Sequence, residues 1–174
     1  IIAMLSLASC GWFSDKDEEL EPKELVDFDA RVQVKRVWSA KVGGGSEALL
    51  LGLRPIGDGS RIYAASYDGN VIAANPETGK TAWKTELDIE LAAGPGVGEG
   101  GIAVVSKDGY VIYLDARDGV EQGREYVGAE ALARPLIRGD SVIVQTIDNR
   151  LQSLSRFDGR QRWELEQSMP ALTL

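Results

Sequence analysis

The stretch DGNVIAANPETGKTAW, Asp68 to Trp83, returns as DGYVIYLDARDGVEQG at Asp108 to Gly123 and as DNRLQSLSRFDGRQRW at Asp148 to Trp163. The period is 40 residues, and it is kept by Gly79, Gly119 and Gly159 and by Pro55, Pro95 and Pro135 as well. Turn residues and apolar runs that recur together at one interval mark a repeat architecture, with one supersecondary unit per period. Such a unit cannot bury its own faces, so its neighbours must do so.

Each period parses into four short strands separated by turn signals. The second strand reads RIYAASY, GIAVVSK and SVIVQTI in successive repeats, and the third reads NVIAAN, YVIYLD and RLQSLS. Between them Asp-Gly or Asp-Asn closes a hairpin that needs a positive φ. A second turn, PETG, ARDG or RFDG, leads to a fourth strand carrying Trp83, Gly123 or Trp163. The second strands are nearly continuous apolar runs, so both faces of each sheet must be covered. No segment between the strands has a helical period that could cover them. Sheets stacked face to face satisfy the same requirement, and the expected fold is an all-β propeller of four-stranded antiparallel blades. About three to three and a half blades are read here. Trp38, in VWSAKV, resembles a fourth strand without its first three, as when an N-terminal strand completes the last blade of a ring.

The chain has a formal net charge of -8, and its 19 Lys and Arg are scattered. A nucleic-acid partner is therefore not expected, because phosphate backbones are bound by clustered cations. The absence of His and the single Cys remove Ser-His-Asp and Cys-His nucleophilic sets, and His- or Cys-rich zinc sites, from this sequence. No metal or cofactor is expected. The Asp-Gly pairs, equivalent in all three repeats, read as hairpin geometry rather than as cation ligands.

Residues 1–9, IIAMLSLAS, are apolar or small and too few to span a bilayer. With Leu7-Ala8-Ser9-Cys10 they read as the end of a lipoprotein signal peptide, with Cys10 as the lipidation site. Residues 10–36 then hold the lipidated Cys and an acid-rich tether, which would place the folded part some ~25 Å from its anchor. Residues 37–174 form the partial propeller. Ile1 and Leu174 read as truncation points of a longer chain.

The spacing Ala73-x-Asn75-x-x-Thr78-Gly79-x-x-x-Trp83 resembles the tryptophan-docking motif of quinoprotein-type (PQQ-like) propeller repeats. The second copy departs, with Tyr113, Asp118 and Gly123; the third has Ser153 and Asp158 but keeps Gly159 and Trp163. In that family the indole wedges between blades, which makes Trp38, Trp83 and Trp163 packing residues rather than a cofactor cage. Each would contribute about 1.5–3 kcal/mol through buried area.

Leader, tether and repeats together, with WSAKVG at Trp38 to Gly43, GAEALARP at Gly128 to Pro135 and MPALTL at Met169 to Leu174, resemble the BamB family. These are lipoprotein subunits of the outer-membrane β-barrel assembly machinery. The resemblance implies a complete ring of about eight blades and a non-enzymatic scaffold on the periplasmic face of the outer membrane, held by its lipid. It also implies docking on the POTRA domains of BamA, contact with other subunits of the machinery, and help to nascent outer-membrane proteins. Leu172 and Leu174 correspond to part of the BamA-docking segment. The alternatives on the same repeat are a quinone-dependent dehydrogenase and a ligand-sensing periplasmic propeller.

Overall fold

The computed structural model describes residues 31–45, 51–131 and 133–166. One compact unit begins at Arg36. Of the unit before it only residues 31–35 are described, and all are exposed. Cys10, Leu172 and Leu174 lie outside the described residues.

Among the described residues thirteen strands are formed, in three sheets. A short β1 (Gly52–Leu53) precedes blade 1, which comprises β2 (Ile56–Gly57), β3 (Ile62–Ala65), β4 (Asn70–Ala74) and β5 (Thr81–Glu86). Blade 2 comprises β6 (Leu91–Gly98), β7 (Gly101–Ser106), β8 (Tyr110–Asp115) and β9 (Glu121–Tyr126). Blade 3 comprises β10 (Leu136–Arg138), β11 (Ser141–Gln145), β12 (Arg150–Ser155) and β13 (Gln161–Glu166). Within each blade the strands pair in chain order and antiparallel, as the hairpin signals dictate. These are stacked blades of a β-propeller, the fold class read from the repeats.

The hairpins between second and third strands show why Asp-Gly and Asp-Asn recur. In blade 1, Ser66 accepts from the Gly69 amide at 3.1 Å and donates its own amide to Asn70 at 2.9 Å. Gly69 has φ +87°, Gly109 +85° and Asn149 +65°. Only the residue after the Asp is left-handed, which gives a type I turn closed by a bulge, with Asn tolerated where Gly is usual.

Blade 2 keeps its four antiparallel strands and gains a fifth at its edge. β1 pairs parallel with β6, Gly52 opposite Ala93 and Leu53 opposite Gly94. Blade 2 therefore recruits a strand from upstream of blade 1, because the free side of β6 offers unpaired backbone groups that a passing extended segment can satisfy.

Burial follows the stacking. β7 and β8 lie in the sheet covered on both faces and are buried along almost their full length, whereas β11 in blade 3 alternates. Two apolar clusters fill the seams. One joins Tyr63, Val71 and Ala73 of blade 1 to Ile102, Val104, Ile112 and Leu114 of blade 2. The other joins Ala103, Val105, Val111 and Tyr113 of blade 2 to Ile137, Val142, Val144 and Leu154 of blade 3. The alternate side chains of β7 and β8 thus go to opposite seams, as the two-residue strand period requires.

Candidate functional site

Of the residues singled out by the repeat, Trp83 and Gly119 meet at the first seam. Strand register places Tyr63 opposite Ala73 and Ala73 opposite Trp83, so the three form one row across blade 1. The same row in blade 2 is Ala103, Tyr113 and Gly123, and in blade 3 Ile143, Ser153 and Trp163. A large-small-large row therefore becomes small-large-small and then large-small-large again. Cross-strand neighbours share one volume, so a bulky centre is accommodated by small flanks. This accounts for Gly123 where Trp83 and Trp163 stand in the flanking repeats.

At the first seam the Trp83 indole N–H donates to the Ala116 carbonyl at 3.0 Å, and its ring lies against Gly119. A Cβ on Gly119 would come within 2.5 Å of that ring, and the residue has φ +77°; both conditions call for glycine. Thr85 donates to the Gly119 carbonyl at 2.7 Å. Arg61 donates to the carbonyls of Ala116 at 2.9 Å and Arg117 at 2.7 Å. The Tyr63 and Trp83 rings are tilted with centroids 6.0 Å apart, within the favourable range for an aromatic pair.

Trp38 repeats this geometry one period earlier. Its indole donates to the Pro76 carbonyl at 2.8 Å and its ring covers Gly79, which has φ +70°. Pro76 and Gly79 stand one period before Ala116 and Gly119. The strand read at VWSAKV is not formed among the described residues. A strand exists only as a paired element, and the indole docks without a ladder. Gly44 extends the contact by donating its amide to the Asp68 carboxylate at 2.7 Å.

Trp163 differs. It lies on β13, all of whose residues are exposed, and its own exposure is 44%. Among the described residues no blade covers it.

The second seam uses other means. Gln152, buried in blade 3, donates to the Val127 carbonyl at 2.8 Å, and Arg156 donates to the Glu99 carbonyl at 2.6 Å. Glu125 lies over Gly159, where Thr85 and Trp83 lie over Gly119. Sequence reasoning singled out the tryptophans but not Arg61, Gln152 or Arg156. Their partners are main-chain carbonyls, which leave no mark in a sequence.

Electrostatics at the hairpins is local. The Asp148 carboxyl is held down at about 2, first by the Arg150 guanidinium and then by the Thr146 hydroxyl. Burial pushes the Asp58 carboxyl up, but the amides of Arg61 and Ser60 and the Tyr63 hydroxyl outweigh it and bring it to about 2. The Asp68 carboxyl is lowered chiefly by the Ser66 hydroxyl and next by the Gly44 amide. Each carboxylate is thus engaged as a turn or inter-segment acceptor.

Comparison with known proteins places these features in a family. The family model described as outer membrane protein assembly factor BamB matches residues 23–126 and again 89–174. The outer membrane protein assembly factor BamB of Bordetella pertussis (strain Tohama I) is 32% identical over 174 residues, all of this chain and 44% of that protein. The protein of the same name from Xanthomonas campestris pv. campestris is 37% identical over 149 residues, 75% of this chain and 37% of its own. The chain spans less than half the length of these curated relatives. The crystal structure of BamB from Moraxella catarrhalis superposes with a TM-score of 0.61 at 25% identity, covering 72% of this chain and 37% of that one. A europium-containing methanol dehydrogenase has the same TM-score at 20% identity, a likeness of fold alone.

Proposed function

The chain belongs to the BamB family of outer membrane protein assembly factors, and from that premise we propose that it serves as a non-enzymatic scaffold in the assembly of outer-membrane proteins. The observation that carries this reading is the family match, which runs from the tether through all three blades. The dehydrogenase alternative is supported only by a shared fold.

In this reading Cys10 carries the lipid that holds the protein on the periplasmic face of the outer membrane. Acyl chains contribute about 0.8 kcal/mol per buried CH₂, so several on one residue make attachment durable. Leu172 and Leu174 dock on the POTRA domains of BamA as apolar anchors. The blades supply a stiff frame for the loops, and the anchor raises the local concentration of the scaffold near the barrel machinery and its nascent clients.

The experiment is a pull-down of BamA by the full-length protein carrying Leu172→Asp and Leu174→Asp. Retention falling to background supports the docking assignment; unchanged retention removes it. Cys10→Ser, followed by membrane fractionation, tests the anchor separately. A variant that stays with the outer membrane in cells lacking BamA would overturn that part.

A further inference from the structure

One period on, Arg61, Tyr63 and Ala116 of the first seam become Gly101, Ala103 and Arg156, and Ala73 becomes Tyr113. The cation thereby crosses the second seam in the opposite direction. Arg61 of blade 1 reaches the turn carbonyls of blade 2, whereas Arg156 of blade 3 reaches back over Gly101 to the Glu99 carbonyl at 2.6 Å. A cavity of about 220 Å³ lies beside it, lined by Tyr113, Ile137, Val142 and Phe157. At ~30 Å³ for each water-sized group it holds roughly seven heavy atoms.

Two donors at this cavity have no partner among the described residues, the Tyr113 hydroxyl, on a residue only 7% exposed, and the Arg156 Nε–H. Burial, and after it the Glu125 charge, holds the Tyr113 hydroxyl well above the usual phenol range, so it stays protonated and donates. Arg156 is half-buried, fixed by its Nη1 bond to Glu99 and by stacking over Phe157, 4.9 Å from the ring centroid. With Nη1 engaged, the guanidinium is left with its Nε–Nη2 edge, two parallel N–H groups spaced for the two oxygens of a carboxylate. No Asp or Glu among the described residues pairs with Arg156. Asp115 stands on the wall, but its carboxylate accepts the Arg117 amide at 2.7 Å and pairs with the Arg117 guanidinium at 3.8 Å. A half-buried, unpaired cation beside an unpaired buried hydroxyl favours a guest that brings one negative charge and accepts from both.

We infer that the cavity between blades 2 and 3 binds a monocarboxylate with a short apolar tail. Its oxygens accept from the Nε–Nη2 edge of Arg156 and from the Tyr113 hydroxyl, and its tail packs on Ile137 and Val142, members of the apolar cluster of this seam. One cation matches one charge, and the aliphatic wall suits hydrocarbon better than a fully polar oxyanion such as phosphate. The group is either a free carboxylic acid or a Glu side chain of another polypeptide.

The test is calorimetric titration of the full-length protein with pentanoate, and separately with a capped Gly/Ser heptapeptide bearing one central Glu. Each is compared with its uncharged counterpart, pentanamide or the same peptide with Gln. Binding of either carboxylate at ~1 mM or tighter, with its amide at least about tenfold weaker, supports the site. The tighter of the two carboxylates identifies the source. Arg156→Lys keeps the charge but loses the two-pronged edge, and should weaken binding about tenfold. Tyr113→Phe should weaken it about threefold to tenfold. Should either variant not fold, nuclear Overhauser contacts from the bound carboxylate's methylene protons to the methyls of Ile137 and Val142 in the unaltered protein decide the matter. Absence of binding by both carboxylates, amides that bind equally well, unchanged affinity in Arg156→Lys, or tail contacts elsewhere overturns the inference.

Discussion

The indole nitrogen of Trp83 and the carbonyl oxygen of Ala116 stand 3.0 Å apart across the first seam, and Trp38 and Pro76 repeat the pair at 2.8 Å. In the Trp83 pair one blade's outer strand is bonded to the second turn of the next. Each contact combines apolar area with one directed hydrogen bond, so its removal can be dissected.

Trp83→Phe keeps a ring against Gly119 but loses the bond to Ala116, and is expected to cost about 1 kcal/mol. Trp83→Ala also leaves a void between blades, for a total of about 2–4 kcal/mol. Urea unfolding of the full-length protein checks both, and equal midpoints for the two variants would show that the ring contributes nothing beyond its N–H.

Glycines in the seam should respond in opposite ways. Gly119→Ala puts a Cβ within 2.5 Å of the Trp83 ring at φ +77°, and is expected to destabilise by at least about 1–3 kcal/mol. A Cβ at Gly123 meets nothing within 4 Å, so Gly123→Ala is expected to be neutral or to stabilise by up to about 1 kcal/mol. Thermal melts of the two variants check the contrast.

Gln152 is 2% exposed and its amide donates to Val127 across the second seam. Gln152→Leu leaves that carbonyl only the Arg150 guanidinium, at 3.3 Å, as a side-chain donor, at a cost of about 1 kcal/mol. Gln152→Glu adds a buried charge that cannot donate when ionised, and is expected to cost more. Chemical denaturation at neutral pH distinguishes them.

Two limbs of the pH-stability curve have assignable owners. The folded Asp148 carboxyl sits at about 2, below its ordinary 3.8, because Arg150 and then Thr146 favour its charged form. Its contribution is complete above pH ~4 and is lost as pH falls toward 2. Burial, followed by the bond to Asp58, raises the Tyr63 hydroxyl to about 12, so its contribution is complete below pH ~10 and is lost as pH rises through 12. In pH-dependent melts Asp148→Asn should make the acid limb shallower and leave the alkaline limb unchanged, whereas Tyr63→Phe should make the alkaline limb shallower and, by removing the bond to Asp58, weaken the acid limb too.

The sequence alone determined the number of repeats, the strand order within each blade, and the turns that need Gly69, Gly109 and Asn149. These depend on local steric rules and on a two-residue alternation, which a linear string records directly. It also determined that both faces of the sheets would be covered, since β7 and β8 carry apolar residues on each side. The tertiary structure decided what each residue meets. The carbonyl bonded to Trp83 belongs to Ala116 in another blade, β1 pairs with β6 because an unpaired sheet edge lay beside it, and Tyr113 faces Gly123 because strand register made them neighbours. Such partners are far apart in the chain and are often backbone atoms common to every residue, so only the folded arrangement selects them.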